Sequence, residues 1–261
     1  GTSYSGDWRA DVYHGQGVLK TSGGETYTGG FVANLFAGNG VYAAVDGSTY
    51  KGLWQAGRRH GRGIQTDAAG GVYSGAYSEN IRVGLGQYRT LDGRSYAGEW
   101  QADKRDGQGM LLTAAGDKYI GEFVADLFEG DGSYTEVTGA QYDGQWRTGT
   151  RHGRGVQAYV DGGLYEGDFK DGLRNGLGRH RDAGGDIYTG EWSIDARNGQ
   201  GQHTAANGDI YQGGFTDDQF FGDGVYMAAS GDRYEGPWLE GQRHGRGRQT
   251  YADGGIYTGD F

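Results

Sequence analysis

The chain has 261 residues, 57 glycines, a single proline, no cysteine and a formal net charge of −10. This charge argues against nonspecific binding to nucleic acid or to anionic bilayers, and no apolar run reaches the roughly 18 residues of a membrane-spanning helix. The absence of cysteine excludes disulfides and thiolate metal sites, and it is typical of a reducing, intracellular compartment.

A repeat of 23 residues organises the sequence. Each repeat begins with tyrosine, has glycine two residues later and has Trp, Phe or Tyr four residues later. A glycine pair follows eleven and thirteen residues after the tyrosine in each of the eleven complete repeats. The repeat tyrosines are Tyr4, Tyr27, Tyr50, Tyr73, Tyr96, Tyr119, Tyr142, Tyr165, Tyr188, Tyr211, Tyr234 and Tyr257.

Repeats that are four apart resemble each other more than neighbouring repeats do. The chain is therefore nearly three copies of a 92-residue, four-repeat cassette. The motif RHGRG, for example, stands at 59–63, 151–155 and 243–247. We therefore predict one continuous array over residues 1–261, with no separate domain boundary. The sequence starts within one repeat and stops within another, so we expect it to be part of a longer chain.

Each repeat predicts two strands and two turns in the same order along the chain. In the third repeat they are a strand near TYKGLW, a short turn near QAGRR, a strand near HGRGIQ and a turn near DAAGG. Gly70 in the second turn is expected to have a positive φ. The prediction is an all-β fold: an elongated, single-layer antiparallel sheet of consecutive β-hairpins, about 110 Å long at about 4.8 Å per strand.

Alternating residues of a strand share a face, so Tyr50, Gly52 and Trp54 are expected to point the same way. Gly61 and Gly63 are likewise expected to share a face, beneath rings of the neighbouring strand. Glycine in a strand interior costs roughly 0.5–1 kcal/mol, so the repeated glycine pairs predict a steric requirement.

The pattern Y-x-G-x-W-x(6)-G-x-G resembles the MORN (membrane occupation and recognition nexus) repeat family, and YEGPWLEGQRHGRG at 234–247 is close to its consensus. The family includes junctional membrane-complex proteins, radial-spoke components, parasite cytoskeletal scaffolds and parts of some lipid kinases and of a histone methyltransferase. The resemblance implies an elongated sheet with an aromatic-lined groove. It implies no catalysis, because the active site of such enzymes lies in a separate domain.

A one-layer sheet leaves apolar surface uncovered, so we predict that a partner binds along the aromatic residues. The predicted aromatic site consists of Tyr50, Trp54, Tyr96, Trp100, Tyr142, Trp146, Tyr188 and Trp192, together with Tyr42, Tyr134 and Tyr226. The cassette also repeats a group of cations that we call the basic islands. These are Arg59, His60 and Arg62, then Arg151, His152 and Arg154, then Arg243, His244 and Arg246. They are either solvated turns or, at about 38 Å spacing, docking points for a repetitive partner.

The sequence disfavours nucleotide binding and metal binding. The Gly-X-Gly pairs lack the third glycine of a dinucleotide fingerprint, and no P-loop occurs. The six histidines belong to different repeats, too far apart to converge on a metal. We expect no enzymatic activity, cofactor, metal or nucleic-acid partner within this chain.

The leading hypothesis is a protein-interaction scaffold that binds a helix or an extended peptide, or that forms a homodimer. Its setting would be a cytoskeletal, ciliary or membrane-junction assembly, in the cytoplasm or associated with cytoskeleton or membrane. The alternatives are a phosphoinositide- and membrane-binding module, and a targeting segment of a larger enzyme such as a lipid kinase. A secreted repeat that binds choline or glucan ranks last, because its Gly-Trp/Tyr-Tyr pattern is absent.

Overall fold

The computed structural model describes residues 1–261, and all of its regular structure is β-strand. The first ten repeats each contribute a seven-residue strand with the tyrosine motif and a nine-residue strand with the glycine pair. Neighbouring strands are antiparallel, so the predicted all-β sheet of consecutive hairpins is confirmed. The structure contains no helix that is long and apolar enough to cross a membrane.

Contacts divide the chain into two compact units, residues 1–129 (unit 1) and 130–261 (unit 2). In unit 1 each strand from the first to the eleventh pairs with its neighbour in the chain. The strands of unit 1 are β1 (Ser3–Arg9), β2 (Val12–Lys20), β3 (Thr26–Val32), β4 (Leu35–Ala43), β5 (Thr49–Gln55), β6 (Arg58–Thr66), β7 (Val72–Ser78), β8 (Ile81–Arg89), β9 (Ser95–Gln101), β10 (Lys104–Leu112) and β11 (Lys118–Val124). Strand β12 (Leu127–Thr135) contains the boundary.

Unit 2 has the same order of pairing, except that the last glycine-pair strand is split in two and both parts pair with the tyrosine-motif strand before them. The strands of unit 2 are β13 (Gln141–Arg147), β14 (Thr150–Ala158), β15 (Leu164–Lys170), β16 (Leu173–Arg181), β17 (Ile187–Ser193), β18 (Ala196–Thr204), β19 (Ile210–Thr216), β20 (Gln219–Met227), β21 (Arg233–Leu239), β22 (Gln242–Arg243), β23 (Arg246–Thr250) and β24 (Ile256–Asp260).

Two kinds of turn alternate along the chain. Within a repeat, β5 and β6 are joined by Ala56 and Gly57, whose φ angles are 49° and 78°. Two consecutive positive φ values are typical of the tight hairpin turn that matches the twist of its strands. Between repeats the turn is wider, and the Gly70 amide donates to the Asp67 carbonyl at 3.0 Å. Gly70 has a φ of 87°, as predicted.

The glycine pair holds a β-bulge. Gly52 lies opposite Gly63 and Trp54 lies opposite Arg59, so the single residue Leu53 faces three residues of β6. The bulge gives Gly61 a φ of 59°, and a β-carbon there would lie 2.9 Å from Leu53, on the face away from the rings. The prediction that both glycines of the pair lie beneath rings is therefore wrong for Gly61, which is required by the bulge.

The core of each unit is one row of aromatic rings on one face of the sheet, which we call the ring row. Each repeat tyrosine meets the second ring of its own repeat edge-on, as Tyr50 meets Trp54 at 5.1 Å between centroids. It also meets the second ring of the next repeat, as Tyr50 meets Tyr77 at 5.3 Å. Edge-to-face pairs of this kind contribute about 0.5–1.5 kcal/mol each beyond the burial of area. Repeats are therefore joined through their rings as well as through the backbone.

Candidate functional site

A layer of side chains, which we call the caps, covers the ring row. The cap stands nine residues after the repeat tyrosine and is arginine in seven repeats and Phe or Tyr in four. The caps are Tyr13, Phe36, Arg59, Arg82, Arg105, Phe128, Arg151, Arg174, Arg197, Phe220 and Arg243. They lie on the ring face because the cap is directly opposite the second ring of its hairpin, as Arg59 is opposite Trp54.

Aromatic caps and arginine caps both cover the ring row, but they contact the rings through different interactions. Phe36 stacks on Tyr27 with 3.7 Å between centroids and 10° between planes. The guanidinium carbon of Arg82 lies 4.2 Å from the ring centroid of Trp100 and 5.4 Å from that of Tyr73. A guanidinium over an aromatic face is attracted by the negative charge density of the ring. The arginine caps therefore close the core without adding apolar surface.

The arginine caps are fixed by the hairpin turn of the next repeat. The backbone amide and Nε of Arg82 both donate to Asp103 Oδ1 at 3.0 Å, and Nη2 donates to the Asp103 carbonyl at 2.8 Å. The pairs Arg105–Asp126, Arg174–Asp195 and Arg197–Asp218 have the same arrangement. These guanidiniums are thus held by both a carboxylate and a ring, and they are not free to bind a ligand.

The structure places the predicted aromatic site inside this capped layer. Its eight Tyr and Trp rings in the strand motif are buried, with at most 8% of their surface exposed. Burial raises the pKa of Tyr142 to about 12, and its hydroxyl donates to the Gln145 carbonyl at 2.9 Å. Tyr42, Tyr134 and Tyr226 are half-buried beside the ring row. These residues form and flank the core, and partner binding through them stays a prediction.

The basic islands are divided between the two faces of the sheet. Arg59 and Arg151 are caps, and each donates to the glutamine six residues later at 2.7 Å. Arg243 caps Tyr234 in the same way, with its guanidinium carbon 4.9 Å from the ring. His60 and His152 are half-buried, and His244 is exposed. Only Arg62, Arg154 and Arg246 are exposed on the opposite face, which we call the back face.

The back face of unit 1 contains a groove of about 950 Å³, which we call the back groove. Its floor is glycine backbone, from Gly29 and Gly40 to Gly86 and Gly98, because these glycines have no side chain on either face. Its walls are side chains that alternate with the ring positions. They are Gln16, Thr28, Asn39, Val41, Lys51, Arg62, Ile64, Ser74, Leu85, Gln87 and Ala97. The sequence contained a signal for this surface, since aliphatic residues recur at alternate positions of the unit 1 strands.

Acid–base groups of successive repeats line one small pocket of unit 2, which includes His180, Asp186 and His203. No group of three or more His, Asp or Glu side chains is arranged to hold a metal ion. His203 Nε2 lies 3.3 Å from Asp186 Oδ2, and burial beside Arg174 lowers the pKa of His180. These histidines sit among caps and turns of successive repeats.

Comparison with protein families agrees with this geometry. The model of the MORN repeat matches eleven consecutive segments that together cover most of the chain. They are residues 4–26, 27–49, 50–72, 73–93, 96–118, 119–140, 142–164, 165–187, 188–210, 211–233 and 234–256. The chain belongs to the MORN repeat family. Each MORN repeat here is the hairpin described above together with the turn that follows it.

No curated protein matches the chain. Among solved structures, the TCP domain of SAS-4 (dCPAP) from Drosophila melanogaster, bound to a proline-rich motif of Ana2 (dSTIL), is similar at 12% identity. That match covers 60% of this MORN array and 86% of the other chain, with a TM-score of 0.38. The TCP10 domain of Danio rerio CPAP, bound to a STIL peptide, is similar at 10% identity over 99% and 100% of the two chains, with a TM-score of 0.28. TM-scores this low support no inference about this chain.

Proposed function

We propose that this MORN array is a non-catalytic scaffold that binds a partner protein through an extended or helical segment. The observation that carries the proposal is the back face of unit 1, where Val41, Ile64 and Leu85 are exposed in one groove. A contiguous, exposed apolar surface on a soluble protein usually marks an interaction site. The ring row is already closed by its caps, so a partner is not needed to complete the core.

The setting we propose is the one in which other MORN proteins work: a cytoskeletal, ciliary or membrane-junction assembly inside the cell. Pairing of two copies is a second way to cover the back face, and it belongs to the same scaffold function. A role as the targeting segment of a larger enzyme would use the same surface. In each case the array contributes binding and spacing, and no chemical step is assigned to it.

A phosphoinositide-binding module ranks second. Of the nine residues in the basic islands, Arg59, Arg151 and Arg243 each bind a glutamine and lie over a ring. Arg62, Arg154 and Arg246 remain exposed, in a chain whose net charge is −10. Three separated cations give a weak attraction to an anionic membrane at physiological salt, since each contributes about 1 kcal/mol near the surface.

Two parallel measurements test the scaffold proposal. The first is chemical cross-linking of the chain in a cell extract, with the partner peptides identified by mass spectrometry at physiological and at raised salt. We expect cross-links to one or a few proteins that persist when salt is raised, because apolar contacts are not screened. The second is co-sedimentation with phosphoinositide liposomes, for which we expect weak binding that salt removes.

The contrary pair of results would overturn the proposal. It consists of no persistent protein cross-links together with strong liposome binding that is lost when Arg62, Arg154 and Arg246 are all replaced by alanine. That result would identify the array as a lipid-binding module.

A further inference from the structure

Resting on the proposed function, we infer that the back groove of unit 1 binds an extended segment of a partner protein that carries aliphatic and acidic side chains. The scaffold proposal needs only that some surface of the array binds protein. Here the surface is the back groove, the occupant is extended, and its charge is negative.

The apolar character of the occupant follows from the groove walls. Val41, Ile64 and Leu85 come from β4, β6 and β8, one from each successive hairpin, and Leu85 is 74% exposed. All three line the same groove. Between them the floor is glycine backbone, which allows a second chain to approach closely. Aliphatic side chains on the occupant would bury this surface.

The acidic character follows from charge. Lys51 and Arg62 are the charged residues of the groove walls, and no carboxylate lines it, although acids outnumber bases in the chain by 34 to 24. Both side chains are exposed. Because the charged side chains of the groove are all cations, the groove attracts an occupant that carries carboxylates and repels one that carries cations.

The extended conformation follows from dimensions. The lining residues run from Gln16 on β2 to Ala97 on β9, which at about 4.8 Å per strand is about 34 Å. An extended peptide of about ten residues has this length. A helix would need about 23 residues to span the same distance, because it rises only about 1.5 Å per residue.

Unit 2 has the same backbone positions with different chemistry. Four repeats after Val41, Lys51 and Ser74, the chain has Ser133, Asp143 and Glu166. Leu85 is matched by Leu177, which is also exposed, at 62%. Acidic residues in place of Lys51 and Ser74 repel the same acidic occupant, so docking is expected in unit 1 alone. The cassette therefore supplies a matched control within the chain.

The probe is a fluorescein-labelled peptide of eleven residues with leucine at every third position and glutamate between, because an extended chain in the polyproline II conformation places every third side chain on one face, about 9.3 Å apart. The control peptide has lysine in place of glutamate. Binding is measured by fluorescence anisotropy at physiological salt. We expect the glutamate peptide to bind at least about tenfold more tightly than the lysine peptide. Leu85→Glu should weaken it by about tenfold or more, while Leu177→Glu changes it by less than about twofold.

Charge reversal at Lys51 and Arg62, both to glutamate, should shift the preference toward the lysine peptide. All substituted residues are exposed, and the β circular dichroism of each variant verifies folding. No binding of the glutamate peptide overturns the inference, as does equal weakening by Leu85→Glu and Leu177→Glu. Helical circular dichroism gained on binding, or a dimer abolished by Leu85→Glu, would show a different occupant. If protein cross-links persist while the probe fails, the scaffold stands and this inference falls.

Discussion

The ring of Tyr142 lies across the backbone of Gly155 on the neighbouring strand, with its Cε2 and hydroxyl oxygen 2.5 Å from where a β-carbon on that glycine would be. Gly144 lies opposite Gly155 and would meet the same hydroxyl at 2.6 Å. The tyrosine hydroxyl donates to the carbonyl three residues later in its own strand. One side chain therefore needs two glycines, which explains why all three recur together.

Substitution at the second glycine of a pair should be costly. Gly155→Ala forces the Tyr142 ring to move, and we expect a loss of about 3 kcal/mol, at the upper end for overpacked cores. The control is Gly162→Ala, where φ is 91° and no atom lies within 4 Å of the added carbon. Backbone strain alone should cost that variant about 1 kcal/mol. Thermal unfolding compares the two, and equal losses would contradict the ring-over-glycine packing.

Loss of an arginine cap should destabilise the fold although the residue is charged. Arg82→Met removes the contact with Trp100 and leaves Asp103 without its guanidinium, and we expect a loss of about 1–2 kcal/mol. Arg62→Met, on the exposed back face, should change stability by less than about 0.5 kcal/mol. Urea unfolding of both variants measures the difference. A cap variant as stable as Arg62→Met would remove the arginines from the account of the core.

The sequence was sufficient for the strands and turns because one steric rule, ring against glycine, is repeated at fixed spacing. The sequence did not determine on which face of the sheet each side chain lies. The bulge at Gly61 and the caps at Arg59 and Arg82 depend on which residue lies opposite which, and strand alternation alone does not determine that once a bulge interrupts it. An arginine can also be either an exposed surface charge or a planar group that stacks on rings. The motif RHGRG contains one arginine of each kind.

One internal signal could have identified the caps. Where the cap is Arg82, Arg105, Arg174 or Arg197, the second residue of the next hairpin turn is aspartate, and where the cap is Phe36, Phe128 or Phe220, it is glycine. The exceptions are Arg59 and Arg151, which are followed by Asn80 and Gly172 and bind a glutamine six residues later instead. The structure gives the reason, since the carboxylate holds the guanidinium and a phenyl cap needs no such partner. The aspartate or glycine also fits the positive φ of that turn position.

This pairing predicts a coupling between cap and turn. Phe36→Arg alone should cost about 1–2 kcal/mol, because the guanidinium lacks a carboxylate in the next turn and also lacks the glutamine that binds Arg151, since Tyr42 stands six residues after position 36. Adding Gly57→Asp should recover about 1 kcal/mol beyond the sum of the single effects, as measured in a double-mutant cycle. Phe220→Arg with Gly241→Asp repeats the test in unit 2. Strict additivity at both sites would contradict the role given to the turn aspartate.

Alkaline pH should weaken the fold over a defined range. Burial raises the pKa of Tyr73, Tyr96, Tyr142 and Tyr188 from 10.0 to about 12. The folded chain thus holds these protons more tightly than the unfolded chain does. The stability they contribute is fully present below pH 10 and is lost as pH rises through about 12. Tyrosinate absorbance and β circular dichroism should therefore change together. Ionisation of these tyrosines near pH 10 with the sheet intact would contradict their burial.

The ring row is a capped core, and we propose that the back face is the surface left for a partner. Acrylamide quenching of tryptophan fluorescence tests it directly, because five tryptophans are 5–8% exposed and Trp8 alone is 57% exposed. In a Trp8→Phe variant without any partner, we expect the five remaining indoles to be quenched as weakly as those of a globular core. Quenching close to that of free tryptophan would mean that the ring face is an open groove, and it would contradict the account.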